Sequence, residues 1–384
     1  MKNITLLKKI AKAGTDKLDP AEYNVSTEME NPDAIMVRSA AIHDMQFGEN
    51  MIAIARAGAG VNNIPVDRCS EEGIVVFNTP GANANGVKEL AICALMLASR
   101  NVVGGIKWAD GLTEDVAKSV EKGKSKFAGV EIQGKILGVI GLGAIGGLVA
   151  NAAVDLGMKV VGCDPFLSVD AAWAIDSRVE KAASFEDVFK VADYVTLHVP
   201  ATKDTKGMIS EKSLTVMKDG VRIINLARAD LVCAADVKAA LQSGKVASYV
   251  TDFPTEETVG VEGIVAIPHL GASTSESEDN CAVMAAVELD EYLRYGNIKN
   301  SVNFPNESMP MSGDQRLCVL HANVPNVISQ VTSIVGSTGA NIENMMNKSK
   351  GDNAYTVVDI TGDVHDDLSA RLGAVEGVIK VRII

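Results

Sequence analysis

Three side chains that can bind and activate a small organic acid lie in the second half of the chain, near the ends of predicted strands. Arg228 follows the largely apolar segment 223–227, His269 follows Ile267 and Pro268, and Glu257 lies between them. A guanidinium can hold a carboxylate through two parallel hydrogen bonds, and an imidazole exchanges protons near neutral pH. A carboxylate beside the imidazole would orient it, and Glu257 is the candidate. This combination predicts acid–base chemistry on a carboxylate-bearing substrate.

A second motif predicts a site for a dinucleotide. Gly141, Gly143 and Gly146 have G-x-G-x-x-G spacing between the predicted strand 136–140 and a helix that begins at Ala144. Glycines at these places permit a tight turn and let a pyrophosphate approach the helix N-terminus. Asp164 ends the next predicted strand, 23 residues after Gly141, where a carboxylate favours the ribose of NAD over the phosphate of NADP. The alternative is a glycine turn in an unrelated α/β protein, with Asp164 capping a helix.

Composition limits the class of protein. The 384 residues include 36 basic and 49 acidic side chains, for a formal charge of −13, which disfavours nucleic acid as a partner. The six cysteines are scattered without a C-x-x-C pair, so we expect free buried thiols and no metal site. The N-terminal apolar cluster contains charges and no apolar run approaches ~18 residues, so we expect a cytoplasmic protein that does not enter a membrane. His43 and His365 are expected on the surface.

The order of predicted elements indicates an α/β fold with two Rossmann-like parallel-sheet lobes. Strands are predicted at 35–38, 51–56 and 74–78 in the first lobe, and at 136–140, 159–163, 192–198, 220–225, 247–252 and 263–267 in the second. The apolar segment 87–98 predicts a buried helix, and residues 234–243 and 279–293 predict two more. We expect a substrate-binding lobe of residues 1–92 and 275–306 and a dinucleotide-binding domain of residues 93–274.

The last part of the chain has a different rhythm. After a predicted linker at 307–314, residues 315–384 alternate as strand, helix, strand, strand, helix and strand, a βαββαβ (ferredoxin-like) domain. The domain has few reactive side chains. We therefore expect it to serve regulation or assembly and not the chemistry itself.

These motifs together resemble the D-2-hydroxyacid dehydrogenases over essentially the whole chain. The matching blocks are residues 141–146, 197–200, 224–228, 251–257 and 268–274. The resemblance implies that Arg228, Glu257 and His269 are catalytic, with Glu256 as the alternative glutamate. It implies NAD as cofactor, bound by Gly141, Gly143, Ala144, Ile145, Gly146, Asp164, His198, Val199, Pro200, Leu226, Ala227, Arg228, Asp252, His269, Gly271 and Ala272.

The first lobe also resembles the family, in segments that bind substrate. Arg56, Ala57 and Gly58 begin a loop whose amides and guanidinium would receive a carboxylate, and Asn78 begins the next loop. Arg38 lies in a further similar segment, and Lys124 is a candidate for a substrate phosphate. The alternatives are ordinary turns with a surface arginine and, for Lys124, a solvated charge run.

Three places depart from the family pattern. Ala229 and Asp230 follow the arginine where glycine is usual, Asn62 replaces an aspartate of the substrate loop, and Phe253 directly follows Asp252 in place of the common Asp-Val-Phe order. None of these changes removes a reacting group.

The C-terminal domain resembles an ACT domain, a module that often binds amino acids at a dimer interface. Its segments 321–326 and 339–342 resemble those that bind L-serine, which implies His321, Asn323 and Asn341 as effector residues in a homodimer or homotetramer. The alternative is a domain that serves only dimerisation.

The resemblance favours NAD-dependent oxidation of a phosphorylated 2-hydroxy acid, the first step of L-serine biosynthesis. Another D-2-hydroxyacid dehydrogenase, such as a glycerate or glyoxylate reductase, would share the same catalytic residues. A non-enzymatic sensor of NAD or amino acids is the alternative from a different class.

Overall fold

The computed structural model of the protein describes residues 1–362 and 367–384, so the surface position predicted for His365 lies outside the described residues. The described residues form two compact units. The first comprises Met1–Asn83 and Glu278–Ile384, and the second comprises Ala84–Ser277.

The N-terminal part of the first unit is a parallel five-stranded sheet of order β2-β1-β3-β4-β5. Its elements are β1 (Lys2–Leu7), α1 (Lys12–Thr15), β2 (Tyr23–Ser26), β3 (Ala34–Val37), β4 (Ala53–Arg56), α2 (Val66–Glu71) and β5 (Val75–Phe77). The three predicted strands correspond to β3, β4 and β5. They are buried on both faces, which explains their unbroken apolar sequences.

The second unit is built around a seven-stranded parallel sheet of order β12-β11-β10-β9-β6-β7-β8. Its elements are α3 (Ala84–Ser99), α4 (Val102–Asp110), α5 (Val116–Gly123), β6 (Ile136–Ile140), α6 (Ala144–Asp155), β7 (Lys159–Cys163), α7 (Val169–Trp173), β8 (Glu180–Lys181), α8 (Phe185–Val191), β9 (Tyr194–Leu197), α9 (Glu211–Val216), β10 (Val221–Asn225), α10 (Ala234–Ser243), β11 (Val246–Thr251) and β12 (Ile264–Ala266). The strand order reverses between β6 and β9. In open parallel sheets, ligands bind at the carboxyl ends of the strands beside such a reversal.

Helix α3 packs into the core of the second unit. Its buried side chains include Ala91, Ala94 and Leu95, which belong to one apolar cluster with residues of β6 and α6. The predicted domain boundary between residues 92 and 93 falls inside this continuous helix, and the compact unit begins where the helix begins.

The chain returns to the first unit along α11 (Ser275–Tyr295), which is longer than the predicted helix 279–293. The C-terminal elements are then β13 (Gln315–Ala322), α12 (Val327–Ser337), β14 (Asn341–Lys350), β15 (Asn353–Thr361), α13 (Leu368–Gly373) and β16 (Val378–Ile383). They form an antiparallel sheet of order β14-β15-β13-β16, so the predicted βαββαβ order is confirmed.

Both faces of the central strands β13 and β15 are covered within the first unit, whereas most side chains of the edge strand β14 are exposed. Leu317 and Val319 of β13 pack against α12 and α13. Cys318 and Leu320, which alternate with them, join an apolar cluster that includes Phe77 of the parallel sheet. The C-terminal elements and the parallel sheet therefore share one core.

A buried ion pair reinforces this arrangement. The Arg316 side chain donates to both carboxylate oxygens of Asp359, at 2.6 and 2.9 Å, and both side chains are fully buried. Arg316 also donates to the carbonyl oxygen of Tyr295 at the end of α11. Removing either charged partner would leave the other buried without its counterion, a change that costs roughly 3–5 kcal/mol.

All six cysteines are free, but Cys93 is exposed and Cys233 half-buried, so the expectation of buried thiols is correct for only four. No group of three His, Cys, Asp or Glu side chains in the described ranges could hold a metal ion. No single described helix is long and apolar enough to cross a membrane; α3 and α4 have that length and composition only as a pair bent by 71°.

The predicted linker contains a buried carboxylate, Glu307. Its backbone N–H donates to the Ile298 carbonyl oxygen and its carbonyl accepts from the Ile298 N–H, at 2.8 and 2.7 Å. Neither carboxylate oxygen has a hydrogen-bond partner among the described residues. Burial raises the pKa of Glu307 to about 8, so the folded protein holds this side chain protonated at neutral pH.

Glu307→Gln should alter how stability depends on pH. Because the folded pKa exceeds the ordinary value of 4.5, folded protein binds a proton that unfolded chain releases, and stability falls as pH rises from about 4.5 to about 8. The loss is about 1.4 kcal/mol per pH unit in this window. Glutamine mimics the protonated acid, so the variant should lose less stability between pH 5 and pH 8 than the wild type.

Urea unfolding midpoints at pH 5 and pH 8 measure this effect. Glu262→Gln, at an exposed glutamate, is the control and should follow the wild type. An identical pH response of wild type and Glu307→Gln would show that Glu307 is ionised in the folded protein.

Candidate active site

The glycine loop after β6 requires glycine at two of its three glycine positions. Gly141 has a φ of +87°, and a Cβ there would lie 2.6 Å from the His198 carbonyl oxygen. A Cβ at Gly146 would overlap the Gly141 carbonyl oxygen, whereas a Cβ at Gly143 would point into open space. No side chain caps the start of α6, so its first N–H groups are available to phosphate oxygens. Ala144 and Ile145 form the first turn of this helix.

Asp164 supports the same loop from the end of β7. Its carboxylate accepts from the backbone N–H of Leu142 and of Phe166, both at 2.9 Å. Each carboxylate oxygen retains a second lone pair for a further donor. The side chain therefore fixes the glycine loop and can still accept from a ribose hydroxyl.

His198, Val199 and Pro200 follow β9 on the other side of the strand-order reversal. The His198 N–H donates to the Ile140 carbonyl oxygen, and its Nε2 lies 2.9 Å from Thr196 Oγ1. Burial lowers the pKa of His198 to about 4, so the ring is neutral at pH 7. We infer a structural contribution beside the glycine loop.

Arg228 follows β10, after Leu226 and Ala227. Its loop is held by Asn225, a fully buried residue whose Oδ1 accepts from the Arg228 N–H at 3.3 Å and whose Nδ2 donates to the Arg228 carbonyl oxygen at 2.8 Å. The Arg228 side chain itself is exposed. Asn225 is thus a positioning residue that the sequence motifs had not singled out.

His269 follows β12 in a turn held by Asp252, at the end of the neighbouring strand β11. The His269 N–H donates to the Asp252 carbonyl oxygen at 2.9 Å, and the Gly271 N–H donates to Asp252 Oδ2 at 3.1 Å. His269 has a φ of +34°, an uncommon value for a residue other than glycine. Asp252 is fully buried and its Oδ1 has no partner among the described residues, which leaves an acceptor for an amide donor such as that of a nicotinamide. Ala272 is half-buried in the same turn.

Phe253 connects the arginine to the histidine. The Phe253 ring centroid lies 4.6 Å from the His269 ring centroid, at an interplanar angle of 43°. The guanidinium carbon of Arg228 lies 5.8 Å from the same Phe253 centroid. Both distances are typical of favourable aromatic and cation–π interactions. The sequence showed Phe253 only as a departure from the family pattern. The structure makes it a contact of both predicted catalytic side chains.

Glu257 has a different partner from the one that the sequence suggests. Its Oε2 lies 3.7 Å from Lys238 Nζ on α10, and its side chain is 59% exposed. Glu256 is also exposed. The carboxylate partner of His269 therefore remains a prediction, with both glutamates as candidates.

Lys124, also in the second unit, pairs with Glu121 in an exposed salt bridge. This contact is what the alternative interpretation of a solvated charge run expects. Its role toward a substrate phosphate remains a prediction.

The predicted substrate residues of the first unit cluster around the ends of β3, β4 and β5. A Cβ at Gly58 would overlap Arg56 Nη1, so the guanidinium lies directly against this glycine. The Asn78 side chain donates to the Ala59 carbonyl oxygen at 2.6 Å, and the Ala57 N–H donates to the Val37 carbonyl oxygen at 2.8 Å.

Arg38, at the end of β3, pairs with Glu278 at 2.6 Å. The roles of Arg38, Arg56, Ala57, Gly58 and Asn78 in substrate binding remain predictions.

The predicted effector residues do not meet within one chain. In the sheet, His321 pairs with Ala354 and Asn341 pairs with Thr361. These two partners lie seven residues apart along β15. That separation corresponds to about 24 Å at ~3.4 Å per residue. His321 is buried, with Nε2 lying 2.8 Å from Thr356 Oγ1, and Asn323 donates to the Gly351 carbonyl oxygen.

Comparison with known proteins agrees with the chemistry of the second unit. Residues 94–271 match the family model described as the NAD binding domain of D-isomer specific 2-hydroxyacid dehydrogenase. This range contains the glycine loop, Asp164, Arg228 and His269.

Curated relatives extend the similarity beyond this domain. The chain is 35% identical over 291 residues to a D-3-phosphoglycerate dehydrogenase of Archaeoglobus fulgidus, a match covering 72% of this chain and 53% of the relative. The chain thus spans about half the length of that relative. It is 30% identical over 351 residues to the D-3-phosphoglycerate dehydrogenase of Escherichia coli, covering 88% of this chain and 82% of the relative.

Solved structures show the same fold. An NAD+-bound 3-phosphoglycerate dehydrogenase of Entamoeba histolytica superposes with a TM-score of 0.61 at 27% identity, covering 79% of this chain and 98% of its own. A D-mandelate dehydrogenase of Rhodotorula graminis superposes with a TM-score of 0.69 at 22% identity, covering 80% and 99%. The glycine loop, an arginine and a histidine at strand ends of the same sheet, and these relatives together show that the chain belongs to the D-isomer specific 2-hydroxyacid dehydrogenase family.

Proposed function

We propose that this protein oxidises 3-phosphoglycerate to 3-phosphohydroxypyruvate with NAD, the first step of L-serine biosynthesis. The observation that carries the chemistry is the contact of Phe253 with both Arg228 and His269, which groups a carboxylate-binding side chain with a proton acceptor. The relatives named D-3-phosphoglycerate dehydrogenase support this choice of substrate within the family.

In the proposed mechanism each protein group has one task. Arg228 binds the substrate carboxylate through its guanidinium. His269 accepts the proton of the C2 hydroxyl as the C2–O bond becomes a carbonyl. Asn225 and Asp252 act as positioning residues, because they hold the backbone of Arg228 and His269 by the hydrogen bonds described above.

The second unit fits NAD. The glycine loop leaves Gly143 open and the α6 N–H groups uncapped, Asp164 retains acceptor capacity, and the buried Asp252 Oδ1 lacks a protein donor among the described residues. NAD, when bound there, supplies the acceptor for the hydride that leaves C2. We infer that Asp164 accepts from the adenosine ribose and so favours NAD over NADP.

The first prediction from the proposed function concerns proton transfer. His269→Ala should lower turnover with 3-phosphoglycerate by about two to four orders of magnitude and leave NAD affinity nearly unchanged. Glu257→Gln should shift the acidic limb of the activity profile to lower pH, because removing a negative charge destabilises the imidazolium. NADH absorbance and calorimetry measure the two quantities.

Glu256→Gln and Glu262→Gln are the matched comparisons for Glu257→Gln. A shift with Glu256→Gln alone would transfer the role to Glu256. Equal activity of His269→Ala and wild type, or oxidation of glycerate or reduction of glyoxylate in preference to the 3-phosphoglycerate reaction, would contradict the proposed function.

The second prediction concerns Phe253. Phe253→Leu removes the ring that contacts Arg228 and His269, so kcat/KM should fall about tenfold, equivalent to ~1.4 kcal/mol of lost transition-state stabilisation. Phe253→Tyr keeps the ring and should retain most of the activity. A positioning role also predicts an altered pH profile in Phe253→Leu, whereas unchanged kcat/KM and pH profile would show that the ring serves packing alone.

We further propose that the C-terminal domain is an ACT domain that binds L-serine between two copies of the chain. The opposite positions of His321 and Asn341 on one sheet support a site that takes His321 and Asn323 from one copy and Asn341 from the other. A closed dimer would then contain two equivalent sites.

The third prediction tests this effector site. Asn341→Ala changes an exposed side chain that donates a 2.8 Å hydrogen bond to the neighbouring Glu343, so it should preserve folding and uninhibited turnover while weakening serine binding at least tenfold. His321→Ala should do the same, although it also removes the bond to Thr356. Calorimetry that detects no serine binding to the intact protein at millimolar concentration would refute the site.

A further inference from the structure

The first unit contains a cavity of about 480 Å³, wide open to solvent along the exposed residues 347–350, that the proposed function does not use. It is lined by Pro305, Asn306, Asn347, Lys348, Ser349 and Lys350. The lining therefore comes from the edge strand β14 and from the chain that precedes β13. A cavity of this size is within the range that holds small organic ligands.

Two ammonium groups give this cavity a positive charge. Neither Lys348 nor Lys350 has a carboxylate within 4.0 Å of its Nζ in the described part of the chain. Glu307 is an electrostatic neighbour of Lys348, but burial raises its pKa to about 8, so it does not neutralise the lysine at pH 7. Two uncompensated cations stand out in a chain whose formal charge is −13.

The polar groups of the cavity are held in place. Asn347 Oδ1 accepts from Thr356 Oγ1 at 2.8 Å and lies 3.3 Å from His321 Nε2, so its amide has a fixed orientation. Lys350 Nζ donates to the Ser301 carbonyl oxygen at 2.7 Å. An ammonium group has three donors, so Lys350 can hold a ligand oxygen as well.

We propose that this cavity binds a small organic dianion, a phosphate monoester or a dicarboxylate, between Lys348 and Lys350. The ammonium groups supply the charge and the asparagine amides supply neutral donors. The site differs from the proposed serine site in its ligand, because an amino acid carries a positive charge that two lysines repel.

Binding there would act on a segment that joins the antiparallel sheet to the parallel sheet. We call residues 300–304 the strap. Lys350 donates to Ser301 of the strap, and Asn353 Nδ2 donates to the Asn303 carbonyl oxygen at 3.0 Å. These two bonds anchor the strap to the turn between β14 and β15.

The other side of the strap is bonded to β5. Asn303 Oδ1 accepts from the Val76 N–H and its Nδ2 donates to the Ile74 carbonyl oxygen, both at 2.9 Å, and the Val302 N–H donates to the Val76 carbonyl oxygen at 2.8 Å. The Lys350 ammonium has a donor for each partner, but an anion that draws it toward the cavity lengthens and weakens its bond to the Ser301 carbonyl oxygen. Occupancy of the cavity should therefore loosen the strap.

Calorimetry on the full-length protein tests the site without reference to catalysis. Inorganic phosphate and succinate are the two probes, and sodium chloride at matched ionic strength controls for screening. The double variant Lys348→Gln, Lys350→Gln should bind at least one of the two probes with an affinity reduced tenfold or more. The probe whose affinity falls identifies the ligand class. Lys17→Gln, at an exposed lysine of the same unit, should bind like the wild type.

Phosphate that binds at the proposed catalytic site would still bind to the double variant. Only the phosphate binding that the double variant loses is therefore assigned to this cavity. Lys348→Gln alone leaves the Lys350–Ser301 bond intact and tests the site if the double variant does not fold. Unchanged binding of both probes in the lysine variants, or an equal response to chloride, would overturn the proposal.

Hydrogen exchange tests the effect on the strap. Saturating probe should speed exchange of the Val302 amide in the wild type and leave it unchanged in the double variant. Variant-sensitive binding with no change at Val302 would show that the cavity binds anions without acting on the strap.

Discussion

The site depends on one buried carboxylate. Asp252 sits fully buried at the end of β11, where its backbone carbonyl accepts the His269 N–H and its Oδ2 accepts the Gly271 N–H. Burial raises the pKa of Asp252, and the hydrogen bond from the Gly271 N–H, followed by electrostatic interactions with His269 and Arg228, opposes that rise. The carboxylate that shapes the turn is thus stabilised in its charged form by the side chains that the turn positions. A change to Asp252 would disturb geometry and charge together.

The sequence predicted the elements of the fold wherever local composition reflects burial on both faces. The predicted bounds of β7 and α10 match the structure. β7 is a buried apolar run with polar ends, and α10 ends at Gly244, which has a φ of +77°. β1 was not predicted, since its few apolar residues alternate with polar ones and lysines stand at both of its ends. Helices α4 and α5 were not predicted either; α4 buries none of its residues and α5 only one.

The side-chain partners of the site lay beyond sequence reasoning. Motif spacing placed Arg228 and His269 at strand ends, but the Phe253 ring reaches both only because β10, β11 and β12 are neighbours in the sheet. Glu257 is a residue whose partner in the structure differs from the one that the sequence suggests. A carboxylate in an exposed loop can pair with any cation within reach, and here it faces Lys238 of α10, which no motif relates to it. Exposed pairs of this kind contribute little, about 0–1 kcal/mol, so Glu257 is weakly held where it lies.

The C-terminal sheet shows how far a strand sequence constrains tertiary structure. Residues 317–320 are apolar without interruption, a pattern typical of a strand buried on both faces. One cover, α12 and α13, is local and was predicted from the alternation of elements. The other cover is the apolar cluster that contains Phe77, far away in the chain, and the strand sequence holds no signal for its identity. Within the described sheet, the backbone groups that remain unpaired lie along the edge strands β14 and β16.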